Sequence, residues 1–456
     1  LEGLEVKEVS FSKTLTNKDF RFDTDFWTKE PILNPKLDYR KIGECLKTSQ
    51  YGISIEMNEN GIGVPIYRMN EIHNMMCDFS VSKYAGITNS EFKIFELKDR
   101  DVLFNRTNSF EWVGRTGIYY KQMNKDFVFA SYLVRFVPDE NIILPEYLTA
   151  YLNSKYGVWD LKRRARQSIN QTNINPEEVK ESFIPILPMA FQLKLKAKFE
   201  QARDNLIQSE LSYKQAETLL LETLGLQDFQ AKEQAVNIKS FSETFGLSGR
   251  LDAEFYQEKY ESYKTKIEAY SNGFETVKNA CKLKDGNFNP KEDNSYHYIE
   301  LSNIGNSGEI TGSTVDLGID LPSRARRKVT KNDVIISSVE GSLASCAIVS
   351  EEYDQAICST GFYVISSDKI NSETLLVLFK SEPLQQLLKQ GCSGTILTAI
   401  NKEEFLNIPL PLIDKEIQTE IAQLIQQSNQ LRKESKNLLE QAKLTVENAI
   451  MGEMIN

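Results

Sequence analysis

Apolar residues recur along this chain with two different periods. Short runs such as Asp126-Phe127-Val128-Phe129-Ala130 and Val334-Ile335-Ile336-Ser337-Ser338 lie between Gly, Asn and Ser turns, which predicts strands. Beyond Phe199 the spacing changes to steps of three and four, so that Phe199, Ala202, Leu206, Ser209, Tyr213, Ala216, Leu220 and Thr223 fall on one stripe of a helix. Near the end of the chain Ile421, Leu424, Ser428, Leu431, Ser435, Leu438, Ala442, Thr445 and Ala449 do the same. Neither segment contains a proline or an internal glycine before Gly225 and Gly452, where helix stops are expected. A helix with an apolar stripe needs a partner, and the simplest partner for each is the other. Phe199, Leu206, Tyr213 and Leu220 are then the expected pairing residues of one helix, and Ile421, Leu424, Leu431 and Leu438 those of its mate. Small residues between them let two backbones approach closely. Packing of each helix on its own domain remains the alternative.

The chain also matches itself. Arg21-Phe22-Asp23-Thr24-Asp25-Phe26-Trp27 corresponds to Arg250-Leu251-Asp252-Ala253-Glu254-Phe255-Tyr256, an offset of 250 − 21 = 229. Asp101-Val102-Leu103-Phe104 meets Asp333-Val334-Ile335-Ile336 at 333 − 101 = 232. The helical stretch from Pro145 to Ser154 meets Asn371 to Ser381, and Ile184-Pro185-Ile186-Leu187-Pro188 meets Ile408-Pro409-Leu410-Pro411. Anchors that stay collinear over such a length mark a tandem duplication. Each copy runs from β-rich segments to a helical stretch, then to a proline-punctuated strand confined to a sheet edge, then to a long helix. The expected class is α+β: two tandem domains, each followed by a long helix, with the two helices pairing as an antiparallel coiled coil. The expected boundaries are 1–189, 190–226, 227–412 and 413–456.

Composition narrows the chemistry. Hydrophobic residues at 41% and charged residues at 26% fit a soluble globular chain that builds proper cores. No run of about 18 apolar residues could span a bilayer, and the start has no basic-then-apolar leader, which favours the cytoplasm. The six cysteines form no CxxC pair and read as free thiols, and with only two histidines, His73 and His297, metal and acid-base chemistry have few carriers. No metal site is expected. The net charge of −10 argues against a generic nucleic-acid coat, so any DNA contact must be local.

Phosphate-loop, dinucleotide-loop and HExxH motifs are absent, as is the Asn/Asp-Pro-Pro-aromatic motif of amino-group DNA methyltransferases. Asp78 with Glu91-Phe92-Lys93 mimics a nuclease triad, but Glu96-Leu97-Lys98 repeats the pattern by chance and the second copy has no equivalent. No catalytic residue is expected. Positive charge, by contrast, is concentrated in Lys162, Arg163, Arg164 and Arg166, and again in Arg324, Arg326, Arg327 and Lys328. Such runs can be solvated faces or can complement a helix dipole; on an acidic chain they are also the natural DNA contacts. Arginine forks suit guanine or phosphate, and the amides of Gln167 and Asn170 suit adenine. Two loops after matched strands complete the candidates: Arg106, Asn108 and Arg115 after DVLF, and Glu340, Ser342 and Ser345 after DVII. Loops at matched places on a repeated scaffold can diverge without harming its core, although either loop could be a plain hairpin.

With these features the sequence resembles the specificity subunit of type I restriction-modification systems over nearly its whole length. The element Asn332-Asp333-Val334-Ile335-Ile336-Ser337-Ser338-Val339-Glu340-Gly341-Ser342 carries the likeness, as do the Pro-x-Pro strands followed by Gln192 and Gln418. The family's glycine and serine near the end of the domain's helix are kept as Gly391-Cys392-Ser393-Gly394, which adds Ser393 and Thr395 as candidates, and are replaced around Arg164 to Ser168. The resemblance implies a non-catalytic subunit that binds a bipartite double-stranded DNA target and recruits two methyltransferase subunits along its helices. Restriction subunits can join them. It also implies that S-adenosylmethionine and ATP with Mg are used by partner subunits and that no cofactor binds this chain. Antiparallel helices would relate two reading heads as duplex DNA relates two half-sites about one turn, roughly 34 Å, apart. A related system with a fused nuclease-methyltransferase partner, a nuclease in its own right and a plain coiled-coil scaffold are the competing readings.

Overall fold

The proline-punctuated segments become short strands, as the sequence predicts. Phe183–Pro185 pairs antiparallel with Tyr39–Lys41, and Pro409–Pro411 pairs antiparallel with Phe274–Thr276. The computed structural model describes residues 6–452 apart from 16, 18, 19, 124, 170, 233, 235 and 394–397. It divides into two units, residues 1–205 with 433–456 and residues 206–432, so each unit takes one half of both long helices. No helix among the described residues is long and apolar enough to cross a membrane.

In the first unit a sheet runs in the order Leu46–Tyr51, Leu133–Pro138, Val102–Asn105, Thr116–Ile118, Met76–Cys77 and Ile72–His73. Val102, Leu103, Phe104 and Asn105 are all buried, because the strand is covered on both faces. A helix pair, Pro145–Asn153 and Lys155–Arg164, follows, and Ser154 caps its second member with its side chain. The second unit repeats the first four strands in the same order, as Lys282–Leu283, Phe362–Ser366, Val334–Ser337 and Cys346–Ile348. Its helix pair is Ser372–Lys380 and Glu382–Gln390, with Ser381 between. The turn before each matched strand has one residue in the left-handed region, Arg100 at φ 66° and Asn332 at φ 69°, next to a buried carboxylate, Asp101 or Asp333. Asp101 accepts from the Lys98 N–H at 2.8 Å and Asp333 from the Thr330 N–H at 2.7 Å, which fixes both turns alike.

The central helix is Met189–Thr223 and the C-terminal helix is Lys415–Met451. Gly225, at φ 63°, ends the first: the Leu226 N–H reaches back to the Leu221 carbonyl as in a Schellman stop. The helices pair antiparallel. In the first unit Ser435 Oγ donates to the Ala202 carbonyl at 2.8 Å and Lys198 Nζ to Gln441 at 3.4 Å. In the second, Ser209 Oγ donates to the Ser428 carbonyl at 2.9 Å. Ser209 and Ser435 are equivalent, 435 − 209 = 226, so each unit holds the same hydroxyl-to-carbonyl contact.

The seam departs from the expected stripe by one residue. Ile421, Ser428, Ser435 and Ala442 are buried as expected, but the intervening positions are Ile425, Leu439 and Val446, while Leu424, Leu431 and Leu438 are half-buried beside it. On the central helix Phe199, Ala202, Ser209, Ala216 and Leu220 are buried, whereas Ser212 takes the inward place expected of Tyr213, which with Leu206 is half-buried. The physical reason is degeneracy: from one anchor a stripe continues at +3 or +4, and apolar residues stand at both.

One glutamine in each copy ties the long helix to its domain. Gln192 Oε1 accepts the Leu144 N–H at 2.7 Å, and its Nε2 donates to the Leu187 and Ile142 carbonyls at 2.9 and 3.2 Å. Gln418 Oε1 accepts the Asn371 N–H at 2.9 Å, and its Nε2 donates to the Ile413 and Lys369 carbonyls at 2.8 and 3.1 Å. Both side chains are buried, so the helix start, the entry to the helix pair and the end of the Pro-x-Pro strand are locked together.

Candidate nucleic-acid interface

The repeated Arg-x-Asp-x-x-Phe-aromatic segment is a clamp. Arg21 binds Asp23 through Nε and Nη2 at 2.8 and 2.6 Å, lies 4.5 Å from the Phe26 ring centroid, and donates to the Arg164 carbonyl at 2.8 Å. Arg250 binds Asp252 at the same two distances, lies 4.2 Å from the Phe255 centroid, and donates to the Cys392 carbonyl at 3.0 Å. Trp27 Nε1 and the Tyr256 hydroxyl each donate back to the carbonyl of their own arginine. The two carbonyls gripped mark the base of a hairpin after the helix pair, Arg166–Gln167 with Thr172–Asn173 in one copy and Cys392–Ser393 with Ala399–Ile400 in the other.

Each hairpin is joined to the loop that follows the matched central strand. Thr107–Asn108 pairs with Thr172–Asn173, and Thr107 Oγ1 donates to Asn173 Oδ1 at 2.6 Å. In the second copy Val339 bridges Ala399, the Glu340 N–H donates to the Thr398 carbonyl at 3.0 Å, and the Thr398 hydroxyl donates to Glu340 Oε2. Two loops far apart in sequence thus form one composite surface in each copy. Its exposed parts include Gln167, Ser168 and Ile169 at the first hairpin, Phe110 and Trp112 in the adjoining loop, and Ser393 and Gly341 in the second copy.

The basic run of the first copy is mostly not on that surface, which corrects the expectation for Arg163, Arg164 and Lys162. Arg163 and Arg164 are buried and both bind Asp160, at 2.5 and 3.0 Å, and the guanidinium groups of Arg21 and Arg163 each lie 4.5 Å from the Phe26 ring centroid. Burial pushes the Asp160 carboxyl upward, but Arg164 and Arg163 outweigh it and hold it below the usual range. Lys162 donates to the carbonyls of Phe110, Glu111 and Val113, and burial lowers its ammonium. It organises the loop instead of facing a phosphate. Arg166 is half-exposed and is held by Glu178 at 2.9 Å. Gln167 is exposed, Asn108 is half-buried, and Asn170 and Thr395 lie outside the described residues.

Other candidates frame the loops. Arg106 donates to the Ser131 carbonyl and lies over Tyr51, and Arg115 donates to the Ile72 carbonyl and stacks on Trp112 at 4.1 Å. Ser342 bonds the Ser337 hydroxyl at 2.9 Å, so its side chain is engaged within the loop, and the Ser345 carbonyl accepts the Ser337 N–H, while Ser345 itself is half-buried. The second basic run is the edge strand Ala325–Lys328. Its register shifts between Ala325 and Arg327, a bulge at Arg326, whose side chain has no hydrogen bond or ion pair among the described residues. Bulges re-aim side chains. Arg324 is exposed beside Glu300, Lys328 lies over Phe288, and Arg327 is anchored by the Asp285 carbonyl and Asn287.

The nuclease-like residues do not converge. Asp78 pairs with His73, and Glu91 accepts from Thr88 as the cap of the helix Asn89–Phe95. Among the described residues no group of three His, Cys, Asp or Glu could hold a metal ion. The clamping role of Arg21 and Arg250 and the part played by Thr398 were not singled out by sequence. Their signal was the repeat itself, which also contains Ser10-Phe11-Ser12 and Ser240-Phe241-Ser242 at 240 − 10 = 230.

Residues 273–441 match the family of the type I restriction modification DNA specificity domain. The second copy is thus similar to a type I specificity domain. The matched segment contains the second composite surface, the bulged basic strand and the Gln418 lock, and the first copy repeats its frame. A putative type I restriction enzyme MjaX specificity subunit from Methanocaldococcus jannaschii is 28% identical over 172 residues, 37% of this chain and 40% of that protein. The type I restriction enzyme EcoKI specificity subunit of Escherichia coli is 26% identical over 167 residues, 36% of this chain and 35% of its own length. The chain thus spans less than half the length of these curated relatives in alignment. The crystal structure of a type I restriction-modification system S subunit from M. genitalium aligns over 94% of this chain and 99% of its own, at 13% identity and a TM-score of 0.40.

Proposed function

We propose that this chain is the DNA-reading specificity subunit of a type I restriction-modification system, with one recognition domain for each half of a bipartite double-stranded target. The observation that carries this reading is the composite surface found twice: equivalent clamps and locks hold loops whose sequences differ. A frame kept constant under divergent tips is what two heads reading different letters require. The acidic net charge confines phosphate contact to local cations, of which Arg166, Arg324 and Lys328 are exposed and Arg326 is half-buried.

The subunit itself carries no catalysis in this reading. Two methyltransferase subunits dock along the paired helices and use S-adenosylmethionine, restriction subunits that use ATP with Mg join them, and no cofactor binds this chain. The assembly works on cytoplasmic DNA and has no membrane partner. Methylome sequencing of a methylation-free host that carries the locus tests the proposal. The expected result is a motif of two short defined halves flanking an unspecific gap; a single contiguous motif would overturn it.

A further inference from the structure

Asn108 and Glu340 occupy the same place in the two copies and differ in chemistry. Their offset, 340 − 108 = 232, is that of Asp101 and Asp333, which open the strands leading to them. Asn108 is the ladder partner of Thr172, and Glu340 donates its N–H to Thr398, where 398 − 172 = 226 is the offset of the glutamine locks. The preceding pairs, Thr107 with Asn173 and Val339 with Ala399, repeat as well. One backbone position on each composite surface therefore presents an amide in one copy and a carboxylate in the other.

Each side chain is held by one contact and keeps polar capacity. Asn108 Oδ1 accepts the Ser109 N–H at 2.8 Å, while its Nδ2 has no partner among the described residues. Glu340 Oε2 accepts the Thr398 hydroxyl, while its Oε1 has none among the described residues. Both side chains are partly exposed, and beside Glu340 a Cβ on Gly341 would meet nothing within 4 Å, so the approach is open. The same loop joins the end of the basic strand, since Ser338 donates to the Gly361 carbonyl and Thr360 to that of Arg324. A carboxylate repels phosphates. On a DNA-facing surface it is satisfied by the exocyclic amino group of a base, whereas an amide matches the donor and acceptor of the adenine edge.

We propose that Asn108 and Glu340 are matched specificity-determining residues, Asn108 reading an adenine edge and Glu340 accepting a hydrogen bond from an exocyclic amino group, cytosine N4 or adenine N6. This rests on the two-headed reading above. The test is competition binding by the complex of the full chain with its methyltransferase partner, using duplexes in which each target base pair is replaced in turn. Glu340→Gln keeps an acceptor for Thr398 and removes the charge; it should cut discrimination by about ten- to a hundredfold at one base pair of one half. The identity of that pair, C·G or A·T, separates N4 from N6. Asn108→Asp should do the same at one pair of the other half. Thr398→Val, which frees the carboxylate without changing it, should weaken the same letter as Glu340→Gln and serves where that variant does not fold. Binding that weakens uniformly at every position, or letters unchanged in both halves, overturns the assignment. A wild-type complex without a two-part preference overturns the reading of the whole chain instead.

Discussion

The hydroxyls of Ser209 and Ser428 lie 2.9 Å apart, and each donates to the carbonyl oxygen of the other residue across the helix pair. So close an approach depends on small side chains. Ser428→Ala is expected to cost about 1 kcal/mol, the net worth of a lost hydrogen bond. Ser428→Leu should cost more, roughly 1 to 3 kcal/mol from overpacking alone. Thermal unfolding of the two variants checks the order; equal midpoints would mean that the seam is not tightly packed there.

Gln418 satisfies the part-buried N–H of Asn371, as Gln192 does the buried one of Leu144. Gln418→Ala leaves that donor unpaired, at a cost of about 1 to 3 kcal/mol. Hydrogen exchange at the Asn371 amide should accelerate well beyond the average for the second domain. Unchanged protection would show that another group replaces the amide.

Asp160 has a sign that can be tested by acid. Its folded carboxyl is depressed by Arg164 and Arg163 against the upward push of burial, so its contribution is present above the ordinary aspartate value of about 3.9 and fades as pH falls through the depressed one. Asp160→Asn strands two buried guanidinium groups and should cost about 3 to 5 kcal/mol at neutral pH. Denaturant unfolding across pH 2 to 6 should show the gap between wild type and variant closing toward the acid end.

Arg326 and Arg163 separate the surface cations from the buried ones. Arg326→Ala should reduce the slope of log binding constant against log salt by about 1, leaving the letters read unchanged. Arg163→Ala should lower the unfolding midpoint and leave that slope alone. If Arg163 changed the slope and Arg326 did not, the assignment of the two basic runs would be reversed.

Sequence made the duplication and the long helices legible because both are periodic, and the strands after Asp101 and Asp333 because their apolar runs follow a fixed turn. It misled at Arg163 and Arg164. A charged run at a helix end looks solvated, yet Asp160 stands three and four residues earlier and Phe26, over 130 residues away, completes the burial. The seam phase was hidden because apolar residues stand at both Leu424 and Ile425, and at both Leu438 and Leu439. The meeting of the two loops could not be read locally at all, since the contact of Glu340 with Thr398 depends on the register of strands between them.

That ladder ties the evolution of recognition to two places at once. Asn108 is 64 residues from Thr172 (172 − 108), and Glu340 is 58 from Thr398 (398 − 340). Grafting one loop without the other replaces half of a hydrogen-bonded pair and exposes the edge of the remaining half. New letters are therefore expected to arise by co-inheritance of both segments, with single-loop hybrids lost first to misfolding and only afterwards to mistaken reading.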